Sequence, residues 1–380
     1  MYRALYRICT VCAPCLYRAC TVSGVDLVSL SIGIVGLPNV GKSTLFTALT
    51  KQSGLAANYP FATIDPNIGV VSVPDERLDR LADIVHPARI MPASVEFVDI
   101  AGLVRGANTG EGLGNQFLAN IRQCDAICEV VRYFKDPDVI HVDGRVDPMS
   151  DVDTIQTELI LADLGTLERA IPKLEKEAKR AKENVPRLEI ARRLQDWLNA
   201  GKRAILMPMT DDELAYAHDL FLLTLKPLLF VANCDEEQLH DEVIIDDAPA
   251  ICLCAQVEAE LAELSDADAK EYLTSIGLEH SGLETLIQAA YKLLGLQSFF
   301  TAGPKEVRAW TVKCGAIAPE AAGVIHSDFE HGFIKAETIS FDDYISCGGE
   351  QGARDQGKLR MEGKDYVVQD GDVMVFRFNV

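Results

Sequence analysis

The chain has 380 residues, 48% of them hydrophobic and 24% charged, enough for two or three domains around a sizeable core. Its formal net charge of −21 excludes a protein that coats nucleic acid indiscriminately, though it leaves room for a local basic surface. No apolar run approaches the ~20 residues of a membrane-spanning helix, and the 11 cysteines, an odd count without disulfide-scaffold spacing in the body of the chain, point to a reducing compartment, the cytoplasm.

Residues 1–30 differ from the rest, being rich in Arg, Tyr and Cys with no acidic residue before Asp26. Three readings stand. The stretch is an unstructured leader, or an artefact of a start placed ahead of true translation near Leu27 or Val28. It is an organelle transit peptide, Arg-rich and acid-poor, which would move the protein out of the cytoplasm. Or Cys9, Cys12, Cys15 and Cys20 share a metal or iron–sulfur cluster, against which stand their unusual spacing and the lack of a following Cys/His cluster.

The stretch Ile32–Thr47 organises the chain that follows. An apolar strand leads into Gly36-Leu37-Pro38-Asn39-Val40-Gly41-Lys42-Ser43, a G-x-x-x-x-G-K-S loop, and an amphipathic helix follows it. Such a loop turns backbone N–H groups toward phosphates, and the helix N-terminus adds partial positive charge. Asn39, Val40, Gly41, Lys42, Ser43 and Thr44 are the expected phosphate cradle, with Lys42 reaching the β/γ-phosphates and Ser43 one Mg²⁺ position. The bland alternative is an ordinary glycine-rich loop, and the strand–loop–helix context argues against it.

Next comes Asn58-Tyr59-Pro60-Phe61-Ala62-Thr63-Ile64-Asp65-Pro66-Asn67, whose prolines and asparagines predict a loop feeding a strand over 68–73. Thr63 is the hydroxyl placed to report on a γ-phosphate through Mg²⁺. A strand over 93–100 ends in Asp99-Ile100-Ala101-Gly102, where nucleotide switches aim a carboxylate at Mg²⁺ and a glycine N–H at the γ-phosphate. The glycine-rich run after it, to Gly114, resembles a switch. Leu103 stands where many such switches carry a water-orienting glutamine, and an aliphatic side chain cannot orient water. Slow hydrolysis follows, unless another group serves. His141 is the candidate, weighed against a histidine that merely packs in its loop.

From about Asp151 to Leu225 the pattern is helical. Leu164, Leu167, Ile171, Leu174, Ala178 and Ala181 form one seam, and Leu188, Ala191, Leu194 and Trp197/Leu198 a returning one, so a helical hairpin is expected with a kink at Pro172. Between Glu168 and Arg203 there are 11 Lys/Arg against 6 Asp/Glu. A solvated helix face and a basic arm that docks on RNA both account for this.

A buried strand at Leu228–Ala232 runs into Asn233-Cys234-Asp235-Glu236. In guanine-specific proteins this position reads N-K-x-D, the Asp bonding guanine and the Lys stem covering the base. Here Cys234 removes the stem and Glu236 misplaces the carboxylate, so guanine preference is expected to be lost and adenine accepted, with Asn233 reading a base edge. The strand over 250–254 delivers Cys254-Ala255, a turn suited to closing over the base. A helix over 282–295 follows. A mixed unit from about Gln297, closed by the strand Asp372–Phe378, holds no nucleophile–base pair, and reads as a binding or regulatory module.

With these motifs in hand the chain resembles the Obg-like ATPase (YchF) family over residues 31–380. The resemblance extends through Asn58 to Thr63, Gly110 to Leu118, Phe300-Thr301-Ala302-Gly303 with Lys305 to Trp310, and the tail from Gly363. It implies an α/β fold: a P-loop NTPase domain (31–140 and 226–296, mostly parallel sheet with helices on both faces), an inserted helical arm (141–225) and a C-terminal β-grasp-like TGS domain (297–380). It implies ATP rather than GTP, Mg²⁺ held near Ser43, Thr63 and Asp99, association with the ribosome or a ribosomal subunit, and a role in translation or stress responses, with no membrane partner. Asn39 matches the asparagine with which potassium-activated relatives help hold a monovalent cation, which leaves a K⁺ requirement open. A GTPase of relaxed base choice, and a nucleotide-gated adaptor in which hydrolysis is incidental, are the alternatives.

Overall fold

The computed structural model describes residues 30–52, 67–100, 113–137, 139 and 146–379. The expectations placed on the leader, Thr63, Gly102, Leu103 and His141 lie outside the described residues. The chain divides into two compact units, one of residues 30–71 with 96–294 and the other of 72–95 with 295–379.

In the first unit, β1 (Ser31–Val35) runs through the loop into α1 (Lys42–Gln52). Then come β2 (Ile68–Ser72), β3 (Ser94–Asp99), α2 (Leu113–Gln123) and β4 (Ala126–Arg132). The helical insertion contains α3 (Pro148–Arg180), α4 (Val185–Asn199) and α5 (Asp211–His218). The chain returns to the sheet with β5 (Leu228–Asn233) and β6 (Ile251–Leu253), followed by α6 (Ala255–Leu261) and α7 (Gly282–Leu293). The strand order is β2-β3-β1-β4-β5-β6, and the pairs β3–β1, β1–β4, β4–β5 and β5–β6 are parallel. Parallel strands buried on both faces read as continuous apolar runs, and β4 is buried at every position. Because the strands point the same way, the loops after β1, β3, β5 and β6 gather at one edge, where open α/β sheets bind ligands.

The arm has a core of its own, in which Leu167 of α3 packs with Ile190, Ala191, Leu194 and Leu198 of α4, flanked by Leu164, Ile171, Leu174 and Trp197. Most of the expected pair of seams is present, whereas Ala178 and Leu188 are not part of this core and Ala181 lies past the end of α3. At Pro172, where a kink is expected, α3 is not broken and runs its 33 residues without interruption. Proline deprives the carbonyl four residues earlier of its donor. Here Pro172 and Glu168 are both exposed, so water can take that place. The α3 N-terminus is capped by Asp147, whose side chain accepts from the Ser150 amide at 3.3 Å, with Pro148 at the first helical position.

The second unit is built on β7 (Leu296–Ala302), β8 (Val307–Lys313), β9 (Phe333–Ser340), β10 (Arg360–Glu362) and β11 (Asp372–Phe378). Its order is β10-β9-β11-β7-β8, extended by the short strand Ile90–Met91. The β7–β8, β9–β11 and β9–β10 pairs are antiparallel and the central β7–β11 pair is parallel. With the helix Ala318–Ile325 after the first hairpin, this is a β-grasp arrangement around a core of Phe299, Ala322, Met374 and Phe376. Residues 72–95, expected within the nucleotide-binding domain, pack here instead. The Arg77 guanidinium bonds Asp370 at 2.9 Å and lies 4.9 Å from the Phe300 ring centroid, contacts that no local pattern in the sequence announces. Among the described residues, no helix is long and apolar enough to cross a membrane.

Candidate nucleotide site

The loop after β1 is shaped by two residues in the left-handed region, Asn39 at φ +64° and Gly41 at φ +90°. Successive N–H groups in such a conformation form a concave cradle for anions. Glycine is obligatory at 41 for a second reason: a Cβ there would lie 2.1 Å from Asn233 Nδ2. At 36 a Cβ would lie 2.8 Å from the Val130 carbonyl oxygen, so the loop can leave β1 only because Gly36 has no side chain. The helix ladder begins at once, with the Leu45 amide donating to the Gly41 carbonyl at 3.0 Å. Ser43 and Thr44 are exposed in the first turn of α1, and Val40 is buried.

Lys42, expected to reach the β/γ-phosphates, and Asp99, expected near Mg²⁺, are brought together. Asp99 ends β3, in register with Ile34 of β1, and the Lys42 ammonium pairs with its Oδ1. The Lys42 side chain is only 9% exposed and that of Asp99 21%, so each neutralises the other in a poorly hydrated place. The Ser43 hydroxyl and the Asp99 carboxylate are hard oxygen donors. Mg²⁺ takes such donors one or two at a time and completes its shell with phosphates and water, so the donor set fits that ion.

At the other end of the site, Asn233, expected to read a base edge, also holds two loops together. It is 5% exposed, Nδ2 donates to the Val40 carbonyl at 2.9 Å, and Oδ1 accepts from the Ala255 amide at 2.9 Å. One side chain thus fastens the phosphate loop to the turn after β6. Cys234 points into the core, its thiol donating to the Leu253 carbonyl at 3.4 Å and held well above the usual thiol range by a hydrogen bond with the Cys252 thiol and by burial. It offers no cover for a base. Glu236 is exposed and accepts from the Tyr272 hydroxyl at 3.4 Å. Cys254 caps the N-terminus of α6 by position alone, and burial raises its thiol.

Sequence reasoning missed Asp235 and the segment after β4. Asp235 accepts from the Lys135 amide at 3.1 Å, and the amides of Tyr133 and Phe134 donate to the Asn233 carbonyl at 2.8 and 3.0 Å. Arg132, 1% exposed, holds the same segment by donating to the carbonyls of Phe134, Asp136 and Val139. The available signal was an arginine ending an apolar strand, which is rarely buried without acceptors.

Beneath the site, Glu129 of β4 is fully buried and accepts from Gln156 Nε2 of α3 at 2.6 Å. Its other oxygen and the Gln156 side-chain oxygen are both buried without a partner among the described residues. Burial pushes the Glu129 carboxyl up to about 8, against smaller opposing effects of Gln156 and Arg203. A neutral acid there can donate the proton that the leftover amide oxygen lacks.

A family model described as "50S ribosome-binding GTPase" matches residues 31–182, and the C-terminal YchF-GTPase model, described as "Protein of unknown function (DUF933)", matches 296–379. The chain is similar to the "Ribosome-binding ATPase YchF" of Escherichia coli O157:H7, 54% identical over 360 residues that cover 92% of this chain and 99% of that one. The protein of the same name from Bacillus subtilis (strain 168) is 50% identical over 365 residues, covering 93% of this chain and all of that one. A solved structure, that of the Schizosaccharomyces pombe YchF GTPase, superposes with a TM-score of 0.84 at 36% identity, covering 92% of this chain and 98% of that one.

Proposed function

The chain belongs to the YchF family, and from that premise we propose that it binds the ribosome and hydrolyses ATP to ADP and phosphate as a nucleotide-dependent switch in translation or stress response. The observation that carries the hydrolytic half is the pairing of Lys42 with Asp99 beside a loop held by Asn39 and Gly41 in left-handed conformations. The backbone N–H groups of 39–44 would bind the β- and γ-phosphates, and Lys42 would leave Asp99 to meet them. Ser43 and Asp99, with Thr63, would hold Mg²⁺, which supplies positive charge to the phosphate oxygens when bound.

Catalysis on this reading is mainly electrostatic, since preorganised N–H groups and Lys42 face the charge that develops on the transferred phosphoryl group. Leu103 brings no water-orienting group, so turnover by the isolated protein should be slow, with His141 or a bound partner completing the site. His141→Ala should lower turnover and leave ATP affinity unchanged; unaltered turnover removes that role. Gly102 would add an N–H to the γ-phosphate. Comparing turnover in K⁺ with that in Na⁺ reads whether Asn39 takes part in holding a monovalent cation.

ATP in preference to GTP is supported by Glu236 in place of the guanine-bonding Asp and by Cys234, turned into the core, in place of the covering Lys. Titration with fluorescent ATP and GTP analogues in Mg²⁺ tests this, and tenfold tighter ATP binding (~1.4 kcal/mol) is expected. Tighter GTP binding would make the protein a ribosome-linked GTPase of relaxed base choice. The β-grasp unit is read as a TGS-type binding module.

A further inference from the structure

The base motif runs into the short turn Glu236–Gln238, and the helix Asp266–Ser275 is tied to the same segment by two contacts. The Tyr272 hydroxyl donates to Glu236 Oε1 at 3.4 Å, and the His240 ring donates through Nε2 to the Ile276 carbonyl at 3.1 Å. Positions 272 and 276 are one helical turn apart, so the end of the helix is strapped along 236–240 rather than touching it at one point. The helix is anchored at both ends. Ser265 caps its first turn by accepting from the Asp268 amide at 3.3 Å. Gly277, at φ +76°, follows its last turn with its amide on the Thr274 carbonyl.

Glu236 has use for such a hold. It is exposed, and a glutamate side chain free in water samples many rotamers. A carboxylate only accepts hydrogen bonds. A hydroxyl on Oε1 therefore fixes the side chain and leaves Oε2, which has no hydrogen-bond partner among the described residues, for a ligand. The phenol suits this task. Partial burial, and then the Glu236 and Glu260 carboxylates, hold the Tyr272 hydroxyl above the usual phenol range, so it stays a donor.

Adenine and guanine differ in the group that such an oxygen would meet. Adenine carries an amino group, a donor, where guanine carries a carbonyl, an acceptor. A carboxylate oxygen held in place accepts from the first and repels the second. A carboxylate free to turn can instead seek guanine's own donors, and discrimination falls.

We propose that Tyr272 is a positioning residue for base choice, holding Glu236 so that its free oxygen takes the amino group of adenine. The proposal deepens the reading of Glu236 as the base-contacting residue and rests on it.

The test uses the full chain, Tyr272→Phe, Glu236→Ala and the two combined. Tyr272→Phe removes one oxygen and keeps the ring, so the packing of the helix survives. Unlabelled ATP and GTP compete against a fluorescent ATP analogue in Mg²⁺, and the ratio of their affinities is the readout. Tyr272→Phe should move that ratio toward GTP by about threefold or more, part of the roughly tenfold preference expected of the unaltered protein. Glu236→Ala should abolish the preference, and adding Tyr272→Phe to it should change the ratio no further. A tyrosine that merely packs the helix would weaken both nucleotides alike. An unaltered ratio in Tyr272→Phe beside an altered one in Glu236→Ala overturns the proposal alone, as does an equal shift in both backgrounds. An unaltered ratio in Glu236→Ala overturns the base reading on which the proposal rests.

Discussion

The Asn233 side chain joins two loops that are far apart in sequence, donating to the Val40 carbonyl and accepting from the Ala255 amide, each at 2.9 Å. The same residue accepts through its backbone carbonyl from the Tyr133 and Phe134 amides. Four segments at the carboxyl edge of the sheet therefore meet at one buried amide. On the proposed reading a nucleotide bound there would find phosphate cradle and base pocket already held in relation to each other, which lowers the ordering cost of binding.

Asn233→Ala leaves the Val40 carbonyl and the Ala255 amide without partners. A buried group left unpaired costs about 1–3 kcal/mol, so a loss of about 2–6 kcal/mol is expected for the two. Thermal unfolding reads that loss, and ATP affinity should fall at least tenfold. Asn233→Asp keeps the acceptor for Ala255 but sets a carboxylate against the Val40 carbonyl, so it should recover less than half of the stability. Full recovery would mean that the bond to Val40 contributes nothing.

The ion pair of Lys42 and Asp99 engages both groups before nucleotide arrives. Lys42→Ala should cut ATP turnover by about 100-fold or more, the scale on which single transition-state donors act. Asp99→Asn releases Lys42 and weakens the hold on Mg²⁺, so the gain in ATP affinity on adding Mg²⁺ should shrink at least tenfold. An unchanged Mg²⁺ dependence would remove Asp99 from the metal's surroundings.

On the proposed reading base choice would turn on Glu236, which is exposed and reaches the Tyr272 hydroxyl. Glu236→Asp shortens the carboxylate to the length that guanine-specific sites use. The ratio of ATP to GTP affinity should move toward GTP at least fivefold in a competition titration. No movement would place base choice elsewhere in the pocket.

Glu129 makes stability depend on pH. Burial raises its folded-state value to about 8 from an ordinary value of 4.5, so across that window the unfolded chain is ionised while the folded chain keeps its proton. The folded state then binds more protons, and stability falls as pH rises, by at most ~1.4 kcal/mol per unit. The loss is complete above about 8. Glu129→Gln removes the titration and should flatten this slope, giving a higher Tm than the unaltered protein at pH 9. Parallel profiles for the two proteins would show that the Glu129–Gln156 contact does not couple to folding.

Much of this protein follows from local pattern. The phosphate loop is legible because glycine spacing, a lysine and a following helix are contiguous. The seams of the arm are legible because helical periodicity puts Leu167, Leu194 and Leu198 on inward faces. Asp372–Phe378 appears as a strand in both the sequence pattern and the structure. The strand that precedes the base motif is likewise a plain apolar run, and Asn233 is its last residue.

Local pattern marks Pro172 as the place of a kink, and α3 is continuous there, where exposure of Pro172 and Glu168 lets water replace the lost bond. It was silent on residues 72–95, whose place is decided by side chains such as Arg77 meeting Asp370 and Phe300. It assigned Asn233 to a base and did not show that the same amide bonds Val40 and Ala255.

The sequence by itself determined the chemistry of the phosphate end, the helical character of the arm and the altered base motif, because each is carried by neighbours within a few residues. Only the tertiary structure decided which groups face one another. Lys42 meets Asp99 across 57 positions and Asn233 meets Val40 across 193, and parallel strand pairing, not local propensity, brings such distant loop ends to one edge.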